Sequence, residues 1–349
     1  MEFKNLPASA FLIVSLVFAS GLSVACTSLF FQPTAIRYPY LEIDQLSAKI
    51  VTLKSKDETK ISAWEISSVE ARKNHPEILP AKNLKPNEVR GIALQFHGNA
   101  QNMTSHYRFQ MWLLFEGWDV LTFDYRGYGM SEGSTSNLGG IEKDGEVAIE
   151  WANKIARDKN LPLIIFAQSL GASLAISSLA ETSVDRLKLL VVDSGFYSFT
   201  SIAREKLGGV WFLWPLQWLG WLAVSNDLSA GPKLENPAYR QRFSTEAIFL
   251  HSVNDPVVSN LQGEKLFAAY PGEKLRWTTS DPGHVNTLFA EVDQGIPPRT
   301  PYREKLKLKL RAIQGAWFDP EAADGPKAES KAGPIDRPMI KAAKPPASK

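Results

Sequence analysis

Apolar residues fall in short blocks along this chain, and the stretches between the blocks carry helical periodicity. Ala48–Lys54 and Lys60–Ser67 flank the turn Lys56-Asp57-Glu58-Thr59 and read as two early strands. The next blocks are Gly91–Phe96, Asp119–Phe123, Leu163–Ala167, Leu187–Val192, Ala247–His251 and Lys274–Thr278. Most are apolar at successive positions, as strands buried on both faces of a parallel sheet must be. Alternation with helical stretches predicts right-handed βαβ crossovers and helices on both sheet faces. In such an α/β fold the reactive groups gather at the carboxyl ends of the strands. Glu70–Glu88 is polar and contains Pro, and is expected to be a surface loop.

The two ends have a different character. Residues 319–349 are rich in Ala, Lys, Pro and Glu and poor in large apolar side chains, so they are expected to be disordered. Near the start, a short head with Lys4 precedes the apolar run Ala8–Ala25, the layout of a secretory signal. The run ends Leu22-Ser23-Val24-Ala25-Cys26, which resembles a bacterial lipobox, with Ser23 where Leu is commonest. That resemblance implies acylation of Cys26 as the mature N-terminus. An uncleaved anchor is the rival reading, since the run is nearly long enough to span a bilayer. Both readings put the folded part at the membrane of a bacterial cell envelope, on its periplasmic or outer side. The expected organisation is a signal over 1–25, a linker over 26–46, one α/β domain over 47–318 and a tail over 319–349.

Composition narrows the function classes. The formal net charge of +2 over 349 residues gives no electrostatic case for nucleic acid. Cys26 is the only cysteine, which excludes an intramolecular disulfide and a cysteine zinc cluster. No Gly-rich turn has the spacing of a phosphate loop.

Candidate chemistry closes the apolar blocks. Phe96-His97-Gly98-Asn99-Ala100 follows the first of the six, and Asp124-Tyr125-Arg126-Gly127-Tyr128-Gly129 the second. Ala167-Gln168-Ser169-Leu170-Gly171 ends the third and opens the helical stretch Ala172–Leu179. A nucleophile on a sharp strand-to-helix turn needs small residues two positions to either side, and Ala167 and Gly171 supply them. Serine also needs a base. Of five histidines, His75 lies in the polar stretch, His97 in the His-Gly turn, His106 at the start of a predicted helix, and His251 at the end of a strand. His284, beside Gly283 after the last strand, is the candidate base. Asp255 closes His251-Ser252-Val253-Asn254-Asp255 and is the candidate to orient it, with Asp193 and Asp281 as rivals. The N–H groups of Leu170 and Asn99 are the candidate oxyanion donors, with Ala100 one register away.

Together these motifs resemble the α/β-hydrolase superfamily over about 48–318, and most closely its serine-aminopeptidase or monoacylglycerol-lipase-like branch. The order Ser169, Asp255, His284 is that of the superfamily. The resemblance implies a mostly parallel eight-stranded sheet with helices on both faces and a small helical cap at about 195–243. It also implies acyl transfer to water through an acyl-enzyme on Ser169, without metal or organic cofactor. The Asp124–Gly129 turn would be mainly structural. Ala167 departs from the usual Gly, and the lipobox-like start is not part of the family pattern.

In the expected cap, Trp211, Trp214, Trp218 and Trp221 fall on one helical face, with Pro215 inside the run. They pack the cap on the core, line an apolar acyl pocket, or form an interfacial surface that touches lipid. The expected partners are therefore a small acyl substrate and membrane lipid. Three functions compete: an esterase-like serine hydrolase, an aminopeptidase-like peptidase, and a non-catalytic binding lipoprotein.

Overall fold

The structure is a computed structural model and describes residues 31–38, 46–76, 84–208, 228–288 and 301–318. Eight strands form one sheet: β1 (Ala48–Lys54), β2 (Lys60–Ile66), β3 (Gly91–Phe96), β4 (Trp118–Phe123), β5 (Leu163–Gln168), β6 (Leu187–Asp193), β7 (Ala247–Ser252) and β8 (Lys274–Thr279). Their spatial order is β1-β2-β4-β3-β5-β6-β7-β8. β1 and β2 pair antiparallel, as do β2 and β4, and the remaining neighbours are parallel. All eight sequence blocks become strands, within a residue or two of the predicted ends.

Every residue of β3, β4, β5 and β7 is buried, which explains why these blocks show no polar alternation. Successive side chains enter different cores. Leu94, Phe96, Ile165, Ala167, Leu190 and Val192 pack with helices Leu138–Asp158 and Leu170–Glu181. Ala93, Ile164, Phe166, Leu189, Val191 and Ile248 belong to the other core, with helices Met111–Phe115 and Pro301–Phe318. Burying a large aliphatic side chain contributes about 1.5–3 kcal/mol, so the central strands supply much of the folding free energy.

Two expectations are corrected. The stretch read as a surface loop begins inside a helix, Ser68–Asn74, capped by Ser67, whose side chain accepts the N–H of Glu70. Its buried residues are Ser68, Ala71 and Arg72, and the Arg72 guanidinium donates to the carbonyls of Leu114 and Glu88. A polar residue facing inward hides a helix from a hydrophobicity pattern. Part of the segment read as a linker, residues 31–38, is fastened to the fold: the Thr34 carbonyl accepts from Gly129 N–H and from Asn102 Nδ2. Between β6 and β7 the described residues form helices Phe199–Gly208 and Ala230–Glu235 and a 3-10 segment, Pro237–Phe243. Trp211, Trp214, Trp218, Trp221 and Cys26 lie outside the described residues, as does the tail 319–349.

Candidate active site

β5 ends at Gln168, and Ser169 makes the turn into helix Leu170–Glu181 with φ 52° and ψ −115°. That left-handed backbone is strained for serine and projects the side chain off the strand end. A Cβ on Gly171 would lie 2.3 Å from the Phe96 carbonyl oxygen and 2.5 Å from that of His97, so the turn is closed to anything but glycine there. Ala167 is fully buried in the sheet core and its methyl fits. Leu170 is the first residue of the helix, where backbone N–H groups lack intrahelical acceptors.

The His-Gly turn stands over this elbow. A Cβ on Gly98 would lie 3.7 Å from Ser169 Cβ and 3.4 Å from His106 Cε1. Ala100 and Gln101 both have positive φ, so the turn holds two successive left-handed residues that are not glycine. The following motif braces it. Tyr125 donates to the His97 carbonyl at 2.9 Å, and Tyr128 donates to Asn99 Oδ1 at 2.7 Å. Asp124 Oδ1 accepts the Met103 N–H at 2.7 Å, and Arg126 is gripped by Asp144 and Asp57. The Asp124–Gly129 side chains are thus spent on holding loops.

His284 Nδ1 lies 2.8 Å from Asp255 Oδ2. Asp255 is fully buried on its side chain, and Oδ1 accepts the N–H groups of Val257 and Val258 at 2.8 and 2.9 Å. Burial raises the Asp255 pKa, but the His284 hydrogen bond, its charge and the two N–H donors outweigh burial and leave it below the ordinary value. Of the rivals, Asp281 gives its carbonyl to Ser252 Oγ. Asp193 is fully buried, and its Oδ2 meets no donor among the described residues. Burial, opposed by Ser194 and reinforced by the nearby Asp255, raises its pKa to about 8.

The end of β6 ties the halves together. The Asp193 carbonyl accepts the Ser169 N–H at 2.9 Å, and the next residue, Ser194, accepts the Val285 N–H on its Oγ at 3.1 Å. The elbow and the histidine loop are therefore hung from two consecutive residues. His106 ends the short helix Met103–His106 rather than starting one, and is buried with its ring 5.4 Å from that of His97. Burial foremost, with the His97 charge, lowers its pKa to about 3 and keeps it neutral. No local pattern in the chain marks this placement.

Strand order and comparison with solved structures decide the architecture. An esterase from Pyrococcus furiosus, Pf2001, superposes with a TM-score of 0.56 at 18% identity, over 82% of this chain and 99% of that one. Acetyl xylan esterase 1 from Thermoanaerobacterium gives 0.52 at 12% identity, over 84% and 93%. The fold is that of the α/β-hydrolases. Residues 87–245 match the family model Hydrolase_4, described as serine aminopeptidase, S33. That match includes Ser169 and both loop motifs and ends before Asp255 and His284. The Escherichia coli protein YfhR is 29% identical over 170 residues, 49% of this chain and 55% of its own. Mouse lysophosphatidylserine lipase ABHD12 is 29% identical over 193 residues, 53% of this chain and 47% of its own. The matched part thus spans about half the length of these relatives.

Proposed function

We propose that this α/β-hydrolase is a serine hydrolase that cleaves an ester or thioester through an acyl-enzyme. The observation that carries the reading is the His284–Asp255 hydrogen bond, on a loop hung beside the Ser169 elbow. Asp255 fixes the proton on Nδ1 and leaves Nε2 as the base. Ser169 Oγ attacks the acyl carbon and passes its proton to Nε2, and that proton goes to the leaving alkoxide or thiolate as the bond to it breaks. Water then repeats the sequence and releases the acid. The N–H groups of Leu170 and Asn99 receive the oxyanion in both halves. Tethering through acylated Cys26, with Trp211, Trp214 and Trp218 lining an apolar acyl pocket, would favour lipid-like substrates.

A fluorophosphonate probe tests the chemistry: wild type is expected to label and Ser169→Ala not to, and equal labelling of both would overturn the reading. The description of the matching family favours a peptidase as second reading. p-Nitrophenyl esters of rising chain length, run against aminoacyl anilides, separate the two. Globomycin-sensitive processing, lost in Cys26→Ala, is expected for the lipid anchor.

A further inference from the structure

Residues 31–38 lie across the loops that frame the elbow. Phe31 is buried and stacks on Phe199, with ring centroids 5.9 Å apart. Gln32 N–H donates to Asn99 Oδ1 at 2.9 Å. The Thr34 carbonyl takes the Gly129 N–H at 3.0 Å. Asn102 Nδ2 reaches the carbonyls of Thr34 and Ile36, each at 2.9 Å, and Tyr38 N–H reaches Thr104 Oγ1 at 3.1 Å. The segment thus bonds to the His-Gly turn, the helix after it, and the glycine that closes the tyrosine motif.

One of these contacts meets the tyrosine motif at a single atom. Asn99 Oδ1 accepts from Gln32 on one side and from Tyr128 on the other. Asn99 is also the residue whose backbone follows Gly98 over Ser169, just before the two left-handed residues. A turn in that conformation keeps its shape only when its surroundings over-determine it. Oxyanion donors act by being aimed in advance, and small misplacement costs rate rather than binding.

We propose that residues 31–38 are a positioning strap, and that the Asn99 side chain transmits its docking to the backbone of the turn facing Ser169. This rests on the reading of that turn as an oxyanion donor. Phe31 and Asn99 are positioning residues: one pins the strap, the other joins it to the turn.

The test is a double-mutant cycle in the full chain, with rates normalised to fluorophosphonate-titrated sites. Phe31→Ala and Asn99→Leu are each expected to lower kcat about tenfold with KM within about twofold, as for lost preorganisation. If the strap acts through Asn99, the double variant falls about tenfold as well, instead of the roughly hundredfold that independent sites would give. Multiplicative losses, or single losses under about twofold, overturn the proposal. Hydrogen exchange is read on the same proteins and needs no activity. Amides of 97–104 are expected to exchange at least about tenfold faster in both single variants, with the β5 and β6 amides unchanged. Unchanged exchange in 97–104 overturns the strap even if the enzyme is active. Faster exchange in a protein that neither labels nor hydrolyses would retain the strap and sink the hydrolase reading instead.

Discussion

Asp255 grips His284 with one carboxylate oxygen and two backbone N–H groups with the other, so a single buried side chain fixes both the loop after β7 and the histidine. Replacing it by Asn keeps the shape but favours the wrong imidazole tautomer. Asp255→Asn is expected to lower kcat about 10³–10⁴-fold while the protein stays folded. Steady-state kinetics on a p-nitrophenyl ester, with circular dichroism as the fold control, checks this.

Asp193 should behave in the opposite way. Its side chain takes no part in the His284 bond, so Asp193→Asn is expected to keep kcat within about tenfold, far from the loss at Asp255. Its effect is on stability. With a folded pKa near 8 against an ordinary 3.8, the folded state retains a proton that the unfolded chain has released. Stability from this group therefore declines as pH rises from about 4 to about 8 and is flat beyond. Asp255, lowered on folding, has the reverse sign: its contribution is present above the ordinary 3.8 and is lost as pH falls below it. Thermal scans from pH 5 to pH 9 should show Asp193→Asn gaining Tm over wild type as pH rises. A constant or shrinking difference would refute the assignment.

Gly171 and Ala167 flank the nucleophile but should tolerate opposite changes. A methyl at 171 would lie well inside contact distance of two carbonyl oxygens, both in backbone that cannot move without shifting β3. Gly171→Ala is expected to abolish activity and lower Tm sharply or prevent soluble expression. Ala167→Gly removes one methyl from a strand, costs about 0.5–1 kcal/mol and keeps activity. Expression level, Tm and probe labelling distinguish these outcomes.

Arg126 is buried between the fully buried Asp144 and the partly exposed Asp57. Burial acts against its charge, but hydrogen bonds to both carboxylates dominate and raise its pKa above the ordinary value. Arg126→Met would leave Asp144 buried without its counter-charge, which costs about 3–5 kcal/mol. The measurement is urea unfolding, with the midpoint falling and the slope kept. Arg126→Met,Asp144→Leu should recover much of the loss, because it removes the stranded carboxylate as well.

The parts legible in sequence are those written in local pattern. β3, β5 and β7 are apolar at nearly every position because both faces are covered, and a run of that kind has few other uses. Ser169 could be singled out because its elbow restricts residues on both sides. The order of Asp255 and His284 after it needed no structure, but choosing between Asp255 and Asp193 did. Asp193 ends β6 and Asp255 lies just past the end of β7 in the same sheet, and the bond to His284 separates them. Helix Ser68–Asn74 was hidden because Arg72 is buried by hydrogen bonds to carbonyls, which hydrophobic periodicity does not register. The strap was hidden for a related reason. Apart from Phe31, its backbone groups bond to distant side chains and to the backbone N–H of Gly129, and nothing local marks such partners.

The elbow has a further consequence for how this molecule balances robustness against reactivity. Ser169 sits where its own Cβ is unwelcome, and backbone of that kind costs about 1–3 kcal/mol. Glycine would relieve that cost and also remove the hydroxyl. Ser169→Gly should therefore melt higher than wild type while neither labelling nor turning over, and Ser169→Ala, which keeps the Cβ, should not share the gain. The fold would then be most durable when it is inert, and reactivity would be maintained by a residue that the backbone itself disfavours.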